Sequence, residues 1–298
     1  MVPSRTVLIT GASSGFGRGV ALRLAEQGFN LVLAARRGHL LEEIARECGG
    51  DVLTMTVDVG EPADMEKLGR AALAKFPRID VWINNAGVAA LGPFDAIPLR
   101  DHQRVLQTTL GGVVNGSHVA LRHFRRMQSG TLINVASMLG RTPAPYYASY
   151  CAAKYGVVGL SDALRQEVRA AGLDRVRVCT VLPMAADTPF FDHAANYTGH
   201  SLRAYPLADA DEVVDAIVGL VARPQDEVTV GLTATAAVAA ERFLPSIAHA
   251  VSGALQHGLQ MEEAPPADVS EGNLHAPLAI GTGVHGTIRA RIQAEEGR

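Results

Sequence analysis

Tyr150 and Lys154 are the two residues whose types and spacing point most directly to chemistry. They stand four residues apart in the segment Tyr150-Cys-Ala-Ala-Lys154, and this spacing puts both side chains on one face of a helix. A lysine ammonium beside a phenol stabilises the phenolate and lowers a pKa that starts at about 10. The pair could therefore act as a general acid or base near neutral pH.

The lysine of this pair is one of only three in the chain, against 24 arginines. A lysine that falls by chance four residues after a given tyrosine is therefore rare in this sequence. The other two, Lys67 and Lys75, sit in a polar helical pattern typical of solvated positions. A surface Tyr–Lys pair is the alternative interpretation.

Ser137 is the third candidate catalytic residue. It follows the apolar run 131–136, which is typical of a strand, and precedes Tyr150 by thirteen residues. Open parallel sheets bind ligands at the carboxyl ends of their strands. We therefore expect the Ser137 hydroxyl to face the same ligand as Tyr150.

A glycine-rich turn, Thr10-Gly-Ala-Ser-Ser-Gly-Phe-Gly17, lies between the first apolar run and the first helical pattern. Glycines 11, 15 and 17 allow a sharp turn and a close approach to a pyrophosphate, whose charge the helix N-terminus favours. The alternative is a glycine-rich turn that only reverses the chain and binds no ligand. Its place after a strand and before a helix favours a dinucleotide.

The second predicted strand ends in Ala34-Ala35-Arg36-Arg37. A free ribose 2′-hydroxyl calls for a carboxylate about 20 residues beyond the glycine turn, whereas a 2′-phosphate calls for arginine. No acid is present there, and each guanidinium can bind phosphate in fork geometry. This pattern predicts NADP(H), with a solvated arginine pair as the alternative.

The elements that must position these residues alternate along the chain. Strands are predicted at 6–10, 30–35, 52–57, 81–84, 131–136, 176–182 and 228–230. Helices are predicted at 15–27, 39–47, 62–75, 99–127, 149–171 and 210–222. The short strands are apolar throughout, as expected when helices cover both faces. The pattern predicts a single Rossmann-type α/β fold, a doubly wound parallel sheet of about seven strands with helices on both faces.

Residues 1–261 are interpreted as one dinucleotide-binding and catalytic domain. Residues 262–298, rich in Gly and Pro, form an extension expected to be loosely ordered or packed on a neighbouring subunit. Residues 243–261 contain no charged Asp, Glu, Lys or Arg, but Pro245, His249, Gln256 and His257 interrupt the apolar run. A buried or oligomer-facing helix is favoured over a membrane-surface helix.

Composition narrows the class of protein further. A net charge of −3 with 48% apolar and 19% charged residues indicates a globular protein and argues against nucleic acid as a partner. Three scattered cysteines form no CxxC pair, and the ten histidines show no metal-ligand spacing. We expect a cytoplasmic protein with no metal and no membrane partner.

Taken in order, these motifs resemble the classical short-chain dehydrogenase/reductase family. The resemblance spans roughly residues 5–231, and three residues between Gly11 and Gly15 suit the classical branch. The motifs that carry it are the glycine turn, Asp58-Val59, Asn84-Asn-Ala-Gly87, Ser137, Tyr150 with Lys154, and residues 183–188. Each motif alone is modestly specific, whereas the ordered set is highly specific.

The resemblance implies a role for each matching residue. Tyr150 would exchange a proton with the substrate's carbonyl or alcohol oxygen, Ser137 would hydrogen-bond that oxygen, and Lys154 would bond the nicotinamide ribose. Asp58 would face the adenine, and residues 183–188 would hold the carboxamide. The implied cofactor contacts are Gly11, Ser13, Ser14, Gly15, Phe16, Gly17, Arg36, Arg37, Asp58, Val59, Asn85, Ala86, Gly87, Tyr150, Lys154, Pro183, Ala186 and Thr188.

Two positions depart from the family pattern. Thr109, in Thr109-Leu-Gly-Gly112, stands where the family usually has a catalytic asparagine, and it is kept as a candidate catalytic residue. A hydroxyl at this position would weaken or reroute the relay of protons between the site and bulk solvent. Met184 stands where the family usually has glycine, and it would either narrow the nicotinamide pocket or pack beside it.

The sequence thus predicts an NADP(H)-dependent oxidoreductase acting on a ketone, an aldehyde or a secondary alcohol. Nearby apolar residues suggest a medium-sized, apolar substrate: Leu139, Pro143, Pro145, Tyr146, Tyr147, Phe190 and Phe191. The alternative is a dinucleotide-binding sensor or scaffold that has lost turnover, which Thr109 and Met184 favour. By resemblance, the helices at 99–127 and 149–171 would build a homodimer or homotetramer.

Overall fold

Seven parallel strands form the sheet that positions the site. The computed structural model describes residues 4–231, 253–295 and 297. The strands are β1 (Thr6–Thr10), β2 (Asn30–Ala35), β3 (Val52–Thr56), β4 (Val81–Asn84), β6 (Gly130–Val135), β7 (Val176–Pro183) and β9 (Glu227–Val230). Their order is β3-β2-β1-β4-β6-β7-β9. Strands β2 and β3 lie on one side of β1, whereas β4 and the later strands lie on the other side. Such a switch point in the strand order opens a crevice at the carboxyl ends of the strands.

Two further strands, β5 (Ala90–Leu91) and β8 (Ala195–Asn196), form a separate parallel pair. The helices are α1 (Gly15–Glu26), α2 (Gly38–Cys48), α3 (Pro62–Lys75), α4 (Leu99–Leu106), α5 (Gly112–Met127), α6 (Ala148–Ala170), α7 (Phe190–His193), α8 (Ala210–Ala222) and α9 (Ile288–Glu295).

The strands are apolar on both faces because each face packs under helices. Val7 and Ile9 of β1 join one core cluster with residues of α1, α2 and α8. Leu8 points to the other face and packs with residues of α3, α5 and α6. The predicted doubly wound parallel sheet with helices on both faces is confirmed, and the predicted strands lie within one residue of the observed ones.

The predicted helix over 99–127 is wrong in one respect, because it is not a single regular helix. Residues Gln107–Gly111 form a π-helical turn between α4 and α5. Gly112 passes Val59 so closely that a Cβ on it would lie 2.6 Å from Val59 Cγ2. The extra residue of a π turn shifts the register of the helix, and such turns are frequent at functional sites.

The predicted helix over 243–261 lies largely outside the described residues. Its described end, 253–257, is helical and continues into a π turn at Gly258–Glu263. Beyond it, residues 264–295 lie against the same chain. Ile288 of α9 packs with Phe191 and Ala204, and Glu295 forms an ion pair with Arg203 at 2.7 Å. None of the helices in the described ranges is long and apolar enough to cross a membrane.

Candidate active site

A cavity of about 630 Å³ opens at the carboxyl ends of the parallel strands. It brings together segments that are distant in sequence: the glycine turn, the ends of β2, β4 and β6, the start of α6 and the segment after β7. Every predicted catalytic and cofactor-binding residue lines this cavity, with the exceptions of Gly17 and Thr109.

Ser137, Tyr150 and Lys154 meet at one end of the cavity. Ser137 lies two residues after the end of β6, and its hydroxyl hydrogen-bonds the Tyr150 side chain. Tyr150 and Lys154 lie on one face of α6, with Lys154 Nζ 5.6 Å from the centre of the Tyr150 ring. Lys154 Nζ also donates to Val135 O at 2.7 Å, which ties α6 to the end of β6.

The electrostatics of this cluster differ from the expectation based on the Tyr–Lys spacing. Burial raises the pKa of Tyr150 above its ordinary value, and the hydrogen bond from Ser137 only partly opposes this. Burial also lowers the pKa of Lys154 to about 7. The reason is desolvation: both side chains are buried, and burial disfavours the charged form of each, the phenolate of Tyr150 and the ammonium of Lys154.

Aromatic rings enclose the Tyr150 side chain. The Tyr147 ring lies 6.4 Å away edge-on, and the Phe190 ring lies 5.5 Å away. Five of the seven apolar residues predicted around the substrate line the cavity: Leu139, Pro143, Tyr147, Phe190 and Phe191. This end of the cavity is therefore largely apolar around the hydroxyl groups of Ser137 and Tyr150.

A buried polar network fixes the strands and helices under the cluster. Asn84 Nδ2 donates to Asn134 Oδ1 at 2.9 Å, and Asn134 Nδ2 donates to Ser161 Oγ of α6 at 2.9 Å. Trp82 Nε1 donates to Asn84 Oδ1 at 2.8 Å. Neither Asn134 nor Ser161 is among the site residues predicted from the sequence. The signal that could have found this network is the pair of asparagines at register-matched positions of two apolar strands.

Thr109 is fully buried and engaged with the chain beyond β4. Its hydroxyl donates to Val88 O at 2.9 Å and accepts from Val88 N at 3.0 Å. Because a hydroxyl has one proton, the bond to Val88 O leaves no donor for a proton relay. Thr109 thus secures the loop after Gly87, beside Lys154.

The glycine turn has the close backbone packing that its composition predicts. Gly11 has φ of +67°, and a Cβ on it would lie 2.8 Å from Ala86 Cα. A Cβ on Gly17 would lie 2.4 Å from Gly11 O. Asn85 Nδ2 donates to Thr10 O at 3.0 Å and so joins the turn to the end of β4. Gly17 and Asn85 therefore shape the turn from behind.

Arg36 and Arg37 lie at the other end of the cavity, where β2 ends. Arg37 donates from Nε to Ser13 Oγ at 3.2 Å and from Nη2 to Ser14 Oγ at 2.6 Å. Burial lowers the pKa of both guanidiniums from the ordinary arginine value. The two serines of the turn and the two arginines thus form one group of donors.

Asp58 completes this end. Burial alone would raise its pKa, but the hydrogen bond from Arg104, the N–H of Gly60 and the charges of Arg104 and Arg36 lower it below the usual range. Gly60 N donates to Asp58 Oδ1 at 2.9 Å, and Arg104 forms an ion pair with the other oxygen. Arg104 is not predictable as a site residue from the sequence, because no local pattern links it to Asp58.

The segment after β7 borders the cavity beside the glycine turn. Thr188 N donates to Ala186 O at 2.8 Å, and a Cβ on Gly15 would lie 3.7 Å from Thr188 Cβ. Met184 lines the cavity, and a Cβ on Gly231 would meet its Sδ at 2.7 Å. Met184 therefore packs against Gly231 while it borders the cavity.

The residues present fit a dinucleotide with a nicotinamide. Within the described part of the chain, Thr108 Oγ1 is buried, lines the cavity and has no hydrogen-bond partner. The arginine and serine donors suit phosphates, and the glycine turn allows close backbone approach. The polar, charged end suits the adenosine half of such a cofactor. The apolar end, with its proton-bearing side chains, suits the nicotinamide half and the substrate.

Comparison with known proteins agrees with this geometry. A family model described as short chain dehydrogenase matches residues 5–197. An uncharacterized oxidoreductase, YxnA, of Bacillus subtilis is 29% identical over 287 residues, 94% of this chain and 80% of its own. A match of this extent reaches into residues 262–298.

Two further relatives combine the fold with a named activity or ligand. The 3beta-hydroxysteroid dehydrogenase 1 of Eggerthella lenta is 33% identical and covers 77% of this chain and 90% of its own. A short chain dehydrogenase/reductase from Burkholderia phymatum, solved in complex with NAD, has a TM-score of 0.73 at 25% identity and covers 82% of this chain and 95% of its own. The chain belongs to the classical short-chain dehydrogenase/reductase family and is an oxidoreductase of the NAD(P)-dependent type.

Proposed function

We propose that this protein is an NADP(H)-dependent oxidoreductase that interconverts a ketone or aldehyde and an alcohol on a medium-sized, apolar substrate. The observation that carries the proposal is the convergence of Ser137, Tyr150 and Lys154 at the apolar end of the cavity, opposite the arginine and serine donors.

When bound, the cofactor supplies hydride chemistry at its nicotinamide ring. The protein's part is to hold the reacting oxygen and manage its proton. Tyr150 gives its proton to the substrate oxygen in the reductive direction, and its raised pKa keeps it protonated at neutral pH. Ser137 donates a hydrogen bond to the same oxygen, and Lys154, anchored at Val135 O, offers its remaining hydrogens to the nicotinamide ribose.

The NADP(H) preference rests on the end of β2. Arg36 and Arg37 both line the cavity there, and no acidic side chain follows the strand to bind a ribose 2′-hydroxyl. Arg37 is joined to the glycine turn through Ser13 and Ser14. This arrangement of guanidiniums and serine hydroxyls supports the proposal that the site binds a 2′-phosphate.

The substrate class follows from the opposite end. Phe190, Tyr147 and Leu139 make it apolar, whereas two unpartnered atoms within the described ranges, Thr142 Oγ1 and Gln256 Nε2, also belong to lining residues. Such atoms gain most from a ligand that hydrogen-bonds them. The proposed substrate is an apolar ring system with a second polar group, in keeping with the steroid named for the Eggerthella lenta relative.

The test follows consumption of reduced nicotinamide with a panel of aryl ketones, quinones and steroid ketones, with NADPH and NADH in parallel. We expect turnover with apolar cyclic ketones and a preference for NADPH. Turnover that survives Ser137→Ala at the wild-type rate would contradict the proposed site. An equal preference for NADH would contradict the assigned cofactor.

A second candidate function is a dinucleotide sensor without turnover. It is favoured by Thr109, whose single hydroxyl proton is committed to Val88 O. The same assay decides between the two, because tight NADPH binding with no turnover across the panel would identify the sensor.

For the assembly we propose a homodimer or homotetramer built through the long helices. Leu106 of α4, Val114 of α5 and Tyr155 of α6 are each more than a third exposed. Light scattering on the purified chain tests this, and a monomer would contradict it.

A further inference from the structure

Residues 271–287, here called the C-terminal strap, are fastened at both ends to the same chain. Near its start, the fully buried carboxylate of Asp101 accepts a hydrogen bond from His275 Nε2 at 2.7 Å. At its end, Thr287 Oγ1 donates to Asp192 Oδ1 at 2.6 Å. The strap therefore follows a defined path across the cofactor end of the cavity.

Along that path, main-chain carbonyls of the strap take donors from both arginines of the site. Arg36 donates to Asn273 O at 2.5 Å and to Leu274 O at 3.0 Å. Arg37 Nη1 donates to Ile280 O at 3.0 Å. A guanidinium carries five N–H donors, so in these contacts Arg36 uses two and keeps three for a phosphate. The strap thus fixes the direction of the Arg36 side chain without exhausting it.

Asn273 places a side-chain acceptor in the cavity at the same corner. It lines the cavity, and its Oδ1 is buried with no hydrogen-bond partner in residues 4–231 and 253–295. The nearby carboxylate of Asp58 is engaged by Arg104 and by Gly60 N. A buried carbonyl oxygen without a donor is costly. The adenosine half of the cofactor offers such donors, the adenine amino group and a ribose hydroxyl.

We propose that the C-terminal strap is a wall of the cofactor site and that Asn273 Oδ1 accepts a hydrogen bond from the adenosine half of NADP(H). This inference rests on the proposed function. It extends the site to residues beyond the family match, which ends at residue 197. It also assigns Asn273 a binding role that depends on the strap being seated.

Calorimetric titration of the full chain with 2′,5′-ADP, and separately with nicotinamide mononucleotide, tests the proposal without turnover. Asn273→Ala should bind 2′,5′-ADP about threefold to tenfold more weakly than wild type, the loss expected for one neutral hydrogen bond. Its affinity for nicotinamide mononucleotide should not change. Val269→Ala is the control, because that side chain is exposed and lies outside the strap.

Gly272→Ala tests the seating of the strap itself. Gly272 has φ of +53°, and a Cβ on it would lie 2.3 Å from His193 O, so the variant must displace the chain next to Asn273. It should weaken 2′,5′-ADP binding at least as much as Asn273→Ala. Unchanged or tighter binding of 2′,5′-ADP in both variants would overturn the inference. It would show that the strap either does not contact the cofactor or blocks its site. Failure of wild type to bind either 2′,5′-ADP or NADPH would instead overturn the proposed function, and the inference with it.

Discussion

The two ends of the cavity, here called the reaction end (Ser137, Tyr150 and Lys154) and the adenosine end (Arg36, Arg37 and Asp58) after their proposed roles, are held in place in different ways. At the reaction end, Lys154 and Ser137 are positioned by neighbouring elements of the core, with Lys154 bonded to Val135 only 19 residues away. At the adenosine end, Arg36 is held by Asn273, 237 residues away in the chain. The first end depends on the central sheet, whereas the second depends on a segment that docks onto it. Chemistry and cofactor affinity should therefore respond to separate changes.

The largest effect is expected at the reaction end. Tyr150→Phe removes the proton donor while keeping the ring that packs against Phe190. Turnover should fall about 10²- to 10⁴-fold, the usual contribution of a general acid. Steady-state assays with the most active ketone of the panel measure this.

Tyr147→Phe is the matched control for that change, because Tyr147 is also buried and lines the same cavity. It should retain most of the turnover. A loss of equal size in both variants would indicate a packing effect and not a missing proton donor.

The reaction end was largely predictable from the sequence, because its three main residues lie close together in the chain. Ser137, Tyr150 and Lys154 lie within 18 residues of one another, so local spacing and one helix period place them together. The sheet was predictable for a similar reason, since each strand is a short apolar run. The π-helical turn at Gln107–Gly111 was not predictable, because no local pattern in that segment distinguishes it from a regular helix.

The adenosine end was predictable only in part. Arg36 and Arg37 follow from their place after β2, but their partners are main-chain carbonyls of the strap. Any residue type carries a carbonyl, so sequence offers no signal for such a partner. The same holds for the raised pKa of Tyr150, which results from three-dimensional burial and not from spacing.

A second prediction concerns the cost of burying Lys154. Its pKa is lowered from 10.5 to about 7, so between these values the unfolded chain binds a proton that the folded chain does not. The free energy of unfolding of wild type should therefore rise with pH, relative to Lys154→Met, by up to about 1.4 kcal/mol per pH unit. Urea unfolding of both proteins across that range measures the difference.

The sign of this effect is the informative part. Lys154→Met should show its greatest stability advantage at and below about pH 7 and lose it as the pH rises toward about 10. A difference that does not vary with pH would mean that Lys154 is not desolvated, and the contrast with the more polar adenosine end would fail.

A third, smaller effect is expected at the adenosine end. If Arg36 binds the 2′-phosphate as proposed, Arg36→Ala removes charge-assisted hydrogen bonds to it, so the Kd for NADPH should rise about tenfold to a hundredfold. The Kd for NADH should change little. Fluorescence titration with both cofactors measures this, and Arg70→Ala, an exposed arginine on α3, is the control. Equal losses for both cofactors would remove the 2′-phosphate assignment.

The smallest effect is expected at Thr109. Thr109→Val keeps the shape but leaves Val88 N and O without their partner, which should cost about 1–3 kcal/mol of stability. Thermal unfolding measures it. Turnover at saturating cofactor should persist, because Thr109 has no free donor for the reaction. A large loss of turnover in a stably folded variant would restore Thr109 as a catalytic residue.

The most direct test compares one variant from each end of the cavity in the same two measurements. For Tyr150→Phe and Arg36→Ala, one measures the Kd for NADPH and kcat at saturating NADPH with the same ketone. Tyr150→Phe should lose kcat with an unchanged Kd, and Arg36→Ala should raise the Kd with kcat close to wild type. If Arg36→Ala lost kcat as severely as Tyr150→Phe, or if Tyr150→Phe kept wild-type kcat, the division of the site into a reaction end and an adenosine end would be wrong.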